Sequence, residues 1–167
     1  MMRSAPSITT KPERTSRRPP LTHQPHGGVA EQSFAQQRLW FLSQLDAGGT
    51  SYNAPFAVRL TGRLDVGALE GALRDVVRRH ESLRTTFGEV DGKPVQRIHD
   101  EVELWLEVEE VAAAEVLPKV EEEARRPFDL ERGPLLRAKV LRVGEEEHVL
   151  VWVVHHIVFD GWSVGLL

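Results

Sequence analysis

From residue 33 onward, the apolar positions fall into a succession of distinct periods. Ser33 and Gln36 fit a capping box. Leu39, Leu42 and Leu45, with Trp40 and Phe41, then give a broad apolar helix face that Gly48 and Gly49 close. Over residues 55–61, Phe56, Val58 and Leu60 alternate with Ala57, Arg59 and Thr61, which predicts a half-buried strand ending at Gly62. Asp65 is placed to cap a helix in which Val66, Leu69, Leu73, Val76 and Val77 recur near helical spacing. Residues 83–87 read as a short strand, Asp91-Gly92 as a hairpin turn and 95–99 as the return strand. Val102, Leu104, Leu106 and Val108 alternate with Glu103, Trp105 and Glu107, predicting another strand.

The spacing predicts a helix within 112–126, with Pro118 in its first turn. Glu121, Glu122 and Glu123 then lie early and Arg125 and Arg126 late, which suits the helix dipole, and the acidic run reads as a solvated face. Residues 135–143 predict a strand, 144–147 a charged turn, and 148–154 a strand so apolar that both its faces should be buried. Helices and strands mix without strict alternation and without an internal repeat. The class is therefore α/β or α+β (a two-layer sandwich), with a mixed sheet flanked by helices.

The 167 residues suffice for one ordinary domain. Residues 1–30 differ from the rest. They carry five prolines, five basic residues (Arg3, Lys11, Arg14, Arg17, Arg18) and a single acid, Glu13. They read as a disordered basic Pro/Ser-rich tail, because so few apolar side chains cannot offset the entropy of ordering them. The division is thus 1–30 as tail and 31–167 as folded unit. The absence of cysteine excludes disulfides, a thiol nucleophile and Cys-based metal sites. A net charge of −4 gives no overall reason to bind nucleic acid. No run is apolar enough to span a bilayer and no signal peptide is evident, so neither a membrane nor export is expected.

Candidate chemistry concentrates where the last apolar strand ends, in His155-His156-Ile157-Val158-Phe159-Asp160-Gly161-Trp162-Ser163. Four readings compete. The histidines can be structural, bonding neighbouring backbone, which is favoured for His155. They can join Asp160 in holding a metal, which is disfavoured because neighbouring residues of an extended chain point apart and no further ligand cluster appears. His156 can be an acid–base group, since imidazole titrates near neutral pH. Asp160 would then orient it or pair with a distant arginine, and Gly161 would permit close approach of backbone or ligand. Ser163 can be a nucleophile, which is disfavoured because a helix cap already accounts for it and no Gly-x-Ser-x-Gly turn exists.

This segment resembles the HHxxxDG motif of condensation domains from nonribosomal peptide synthetases. Ser33 to Leu42 (SFAQQRLWFL) resembles the first core motif of that family, and Arg79 to Phe87 (RHESLRTTF) the second. Pro127-Phe128-Asp129-Leu130 and Gly133-Pro134-Leu135-Leu136-Arg137 are similar to the family's approach to the active-site strand. The likeness spans about residues 31–167. The Arg38-to-Leu42 and Tyr52-Asn53 wording is most similar to the subclass joining an L-donor to an L-acceptor.

The resemblance implies one lobe of a chloramphenicol-acetyltransferase-like fold and amide bond formation between carrier-bound donor and acceptor. His156 is then the catalytic residue, His155, Asp160 and Gly161 support the motif, and Arg79 or Arg84 is the structural partner of Asp160. No metal and no directly bound cofactor are expected; phosphopantetheine arms of carrier proteins enter as substrates. The expected partners are peptidyl and aminoacyl carrier proteins, a C-terminal lobe and an adenylation domain, in a cytoplasmic, bacterial setting. Family members are larger than an ordinary single domain. The chain is therefore expected to be a first lobe truncated after the motif and inactive alone. Rival readings are a CoA-dependent acyltransferase of the same superfamily and a non-catalytic truncated lobe.

Overall fold

The computed structural model describes residues 28–46, 48–161 and 163. Seven strands and three α-helices occur among them. In chain order they are β1 (Val29–Glu31), α1 (Phe34–Leu45), β2 (Asn53–Thr61), α2 (Val66–Arg79), β3 (Thr85–Val90), β4 (Lys93–Ile98), β5 (Leu106–Glu110), α3 (Val116–Ala124), β6 (Leu136–Gly144) and β7 (Glu147–His155). Two sheets result, one ordered β1-β4-β3 and one ordered β2-β7-β6-β5. The second is mixed: β5 runs parallel to β6, while β2 and β6 both run antiparallel to β7. This is the expected mixed α/β class, with the strands divided between two sheets.

Local chemistry accounts for several boundaries. Ser33 Oγ accepts the Gln36 N–H, and the Gln36 amide oxygen accepts the Ser33 N–H, so the predicted capping box starts α1. Asp65 accepts the Ala68 N–H and starts α2. Asp91 and Gly92 both have positive φ, at 51° and 75°, the primed turn that a right-twisted hairpin demands between β3 and β4.

Four expectations need correction. Order begins before residue 31, because β1 pairs with β4 and its Val29 and Ala30 belong to the fold; residues 1–27 of the expected tail lie outside the described residues. Residues 81–84 form a 3₁₀ turn, so β3 starts only at Thr85. Residues 102–105 are irregular although they alternate, and the strand there begins at Leu106. Glu123 is not on a solvated face. It lies three residues after Val120 on the side of α3 that packs on the sheet, and it is buried.

The central sheet is covered on both faces. On one, Leu136, Ala138, Val140 and Val154 pack with Leu73 and Val77 of α2 and with Phe87 of β3. On the other, Leu141, Val149, Val151 and Val153 pack with Val116 and Val120 of α3. The strand β7 contributes to both, which explains its unbroken apolar composition. At the edge, β2 is less buried than its alternation predicts: Phe56 and Val58 remain exposed. Phe87→Ala is expected to cost about 3–5 kcal/mol, whereas Phe34→Ala, at a residue 91% exposed, should stay within about 0.5 kcal/mol. Denaturant titration of both variants checks the contrast.

Candidate active site

β7 ends at His155, and His156 is the first residue beyond it. His155 continues the α3-facing row of Val149, Val151 and Val153 and is only 5% exposed, whereas His156 is exposed. Backbone bonds fix both. His155 N–H donates to the Leu135 carbonyl at 2.9 Å, and His156 N–H donates to the Tyr52 carbonyl at 2.8 Å, so the ends of β6 and β2 hold the corner from either side.

His155 is locked by its ring as well. Nδ1 accepts the Ile157 N–H at 3.1 Å, which requires a neutral ring with its proton on Nε2. Phe128 meets the ring edge-on with centroids 6.0 Å apart, and Tyr52 lies at 6.3 Å. Burial, with the neighbouring His156 as a smaller influence, pushes the His155 pKa down to about 4. A cavity of about 550 Å³ adjoins this residue, lined by the end of α1 and by residues 127–131.

Beyond His156 the chain makes a turn in which the Val158 N–H donates to the His155 carbonyl at 3.1 Å. Ile157, Val158 and Phe159 are all buried, and Phe159 packs edge-on against Phe56 at 5.7 Å. The three positions between His156 and Asp160 are thus an apolar plug, and the polar residues flanking it emerge at the surface. Asp160 Oδ1 accepts from Ser163 N–H at 3.0 Å and from Ser163 Oγ–H at 2.8 Å. Asp160 therefore caps this turn; the helix over 164–167 that Ser163 was expected to cap lies outside the described residues. A Cβ added at Gly161 meets nothing within 4 Å and its φ is not positive, so the described fold itself makes no demand for glycine there.

Among the other candidates, Arg84 donates to the His99 carbonyl and lies 3.7 Å from Glu81. That places it between the 3₁₀ turn and the end of β4. Arg79 is an exposed residue of the last turn of α2. One histidine is buried and the other exposed, and among the described residues no cluster of three or more His, Asp or Glu is placed to hold a metal.

The sequence reading missed the roles of Asn53 and Arg137. Asn53, opposite His155 in the β2–β7 register, donates its amide to the carbonyls of Ala124 and Arg126, both at 2.8 Å. Arg137 donates to the carbonyls of Glu123, Arg126 and Pro127 and lies 3.8 Å above the Phe128 ring centroid. A signal was present. Arg137 and Lys139 sit on the same face of an apolar strand as Leu141, and a charged pair inside such a face calls for acidic partners.

The family model of the condensation domain matches residues 27–167. The chain is 50% identical over 149 residues to chondramide synthase of Chondromyces crocatus, an alignment covering 85% of this chain and 4% of that protein. It is 48% identical over 151 residues to cyclosporin synthetase of Tolypocladium inflatum, covering 89% and 1%. Among solved structures, the X-domain from teicoplanin biosynthesis in complex with OxyB superposes with a TM-score of 0.80 at 34% identity, over 89% of this chain and 33% of that one. The starter condensation domain of rhizomide synthetase gives 0.76 at 26%, over 83% and 36%.

The chain belongs to the condensation-domain family. It spans 4% or less of these two synthetases and about a third of these two solved chains. The described residues contain no helix long and apolar enough to cross a membrane.

The depressed pKa of His155 has a consequence for folding. Between about pH 6.5 and about pH 4 the unfolded chain binds a proton at this residue that the folded chain does not. The stability due to neutral His155 is therefore complete above about 6.5 and is lost as pH falls toward about 4. Denaturant midpoints measured across this window should fall with pH in the wild type and fall less steeply in His155→Gln.

Proposed function

We propose that this segment carries the acid–base residue of a domain that joins two carrier-bound acyl groups through an amide bond. The observation that carries the reading is the exposure of His156 at the end of a strand whose two faces are otherwise buried. A side chain so placed is anchored at its backbone yet open to a substrate, which is what positioned proton transfer requires.

In the proposed reaction, the α-amine of the acceptor attacks the thioester carbonyl of the donor. A C–N bond forms, the C–S bond breaks, and the donor's phosphopantetheine thiol leaves with a proton. The amine is a good nucleophile only when neutral, and its ordinary pKa is about 7.7–8.0. On attack its nitrogen becomes strongly acidic, and the imidazole of His156 takes the proton and returns it to the departing sulfur. The substrates are thioesters on phosphopantetheine arms, and the partners are peptidyl and aminoacyl carrier proteins working beside an adenylation domain. The wording of Arg38 to Leu42 and of Tyr52-Asn53 supports the L-to-L subclass.

Asp160 is assigned an architectural role, since its carboxylate gathers the two donors of Ser163. Gly161 is assigned to close approach of a ligand, because the fold alone leaves that space open. The 167-residue chain by itself is proposed to be inactive. His156 stands exposed rather than enclosed, and exposed Phe34, Phe41 and Leu45 on α1, with Phe56 and Val58 on β2, are apolar surface suited to burial against further protein.

In a condensation domain containing these residues and supplied with loaded donor and acceptor carriers, His156→Ala should lower turnover by about 100-fold or more. Near-normal turnover would remove His156 from catalysis. Acyl-CoA donors and D-configured donors should be poor substitutes for the L-configured carrier-bound donor; efficient use of either would change the assignment.

Two companion variants separate chemistry from architecture. Asp160→Asn should reduce soluble yield as much as rate. Gly161→Ala should leave the unfolding midpoint unchanged while reducing turnover. A well-folded but selectively inactive Asp160→Asn protein would give that carboxylate a direct part in the reaction.

A further inference from the structure

A helix C-terminus leaves its last carbonyls without helical partners, and burial makes that costly. At the end of α3 and in the turn that follows it, carbonyls are collected by two side chains from the sheet beneath. Asn53 takes those of Ala124 and Arg126, and Arg137 takes those of Glu123, Arg126 and Pro127 at 3.0, 2.7 and 3.2 Å. The same guanidinium stacks on Phe128, and Phe128 meets the ring of His155 edge-on. The His155 ring accepts the N–H of Ile157, the amide of the peptide that leaves His156. An unbroken series of contacts thus runs from Arg137 through the 123–128 turn and Phe128 to the backbone bearing His156.

The anchoring end is an ion-pair network. Glu123 is buried between Arg126 at 2.9 Å and Lys139 at 3.1 Å, and Lys139 also reaches Glu109 at 3.0 Å. Burial alone would raise the Glu123 pKa, but Lys139 and Arg126 outweigh it and hold the carboxyl below its usual range. A network of this kind fixes geometry more than it adds stability.

We propose that Arg137 is a positioning residue for the histidine pair. Its planar fork pins the end of α3, that pinning seats Phe128 against His155, and the seated ring fixes the direction of His156. The effect of Arg137 on catalysis rests on the assignment of His156 to the reaction; its effect on the His155 ring does not.

The fork is the essential feature, because three carbonyls and an aromatic face cannot be served together by a point charge. Arg137→Lys tests this, since it keeps the charge and loses the fork. In the 167-residue chain, amide exchange at Ile157 and the ¹⁵N signature of His155 Nδ1 report the lock directly. Both Arg137→Lys and Phe128→Leu should speed Ile157 exchange about 10-fold or more and average the two ring tautomers. Wild-type exchange at Ile157 in both variants, with near-ultraviolet circular dichroism intact, would overturn the proposal. Phe128→Leu keeps the site apolar, so the test stands if the arginine variant folds poorly.

In a condensation domain containing this segment, Arg137→Lys should lower kcat by about 10- to 100-fold with the carrier KM unchanged. A raised KM at unchanged kcat would place Arg137 in carrier docking instead and overturn the positioning role. If His156→Ala proves fully active, the catalytic reading falls while the exchange measurement still decides the structural one.

Discussion

Neighbouring side chains of a β-strand leave opposite faces, and the candidate site is built on that constraint. β7 ends in His155 and His156 follows it directly; the alternation of the extended chain sends one into the α3-facing core and leaves the other at the surface. A slip of one residue would exchange them. The register is held by nine paired positions along β2 and by the antiparallel pairing with β6, and apolar burial on both faces makes any slip costly. The large core therefore serves the site by making a single arrangement of His155 and His156 admissible.

The α3 side of the sheet adds a second kind of restraint. Arg137, Lys139, Glu123 and Glu109 sit where apolar residues would pack at least as favourably, and pairing offsets the cost of burying their charge. What such groups supply is direction. Arg137 binds specific carbonyls at specific angles and a specific ring face, which an aliphatic side chain could not do. Its own pKa is drawn down to about 10 by burial and by the nearby Arg126, so it remains charged near neutrality.

Much of this was legible in the sequence. The caps at Ser33 and Asp65 and the Asp91-Gly92 turn announced themselves because they are local chemistry, settled within four residues. The double burial of β7 could be read from composition, and the separation of His155 from His156 from the strand period alone. The His156-to-Asp160 spacing was visible, but its reason was not: Ile157, Val158 and Phe159 plug the core, and Phe159 meets Phe56, about a hundred residues earlier in the chain. Glu123 was misread because three consecutive glutamates look solvated until the helix phase from Val120 is followed. Asn53 escaped because its partners are backbone carbonyls, which carry no mark in the sequence, whereas the charge of Arg137 on the face of an apolar strand was visible and its carbonyl partners were not.

The account stands on the claim that the two histidines differ in accessibility while touching in sequence. Carbethoxylation of the folded chain at pH 7, mapped by fragmentation of the peptide that holds both, measures this directly. His156 should be modified readily, with His155 protected until the chain unfolds. Equal modification of both, or faster labelling of His155, would contradict the assignment of one histidine to the core and the other to the reaction.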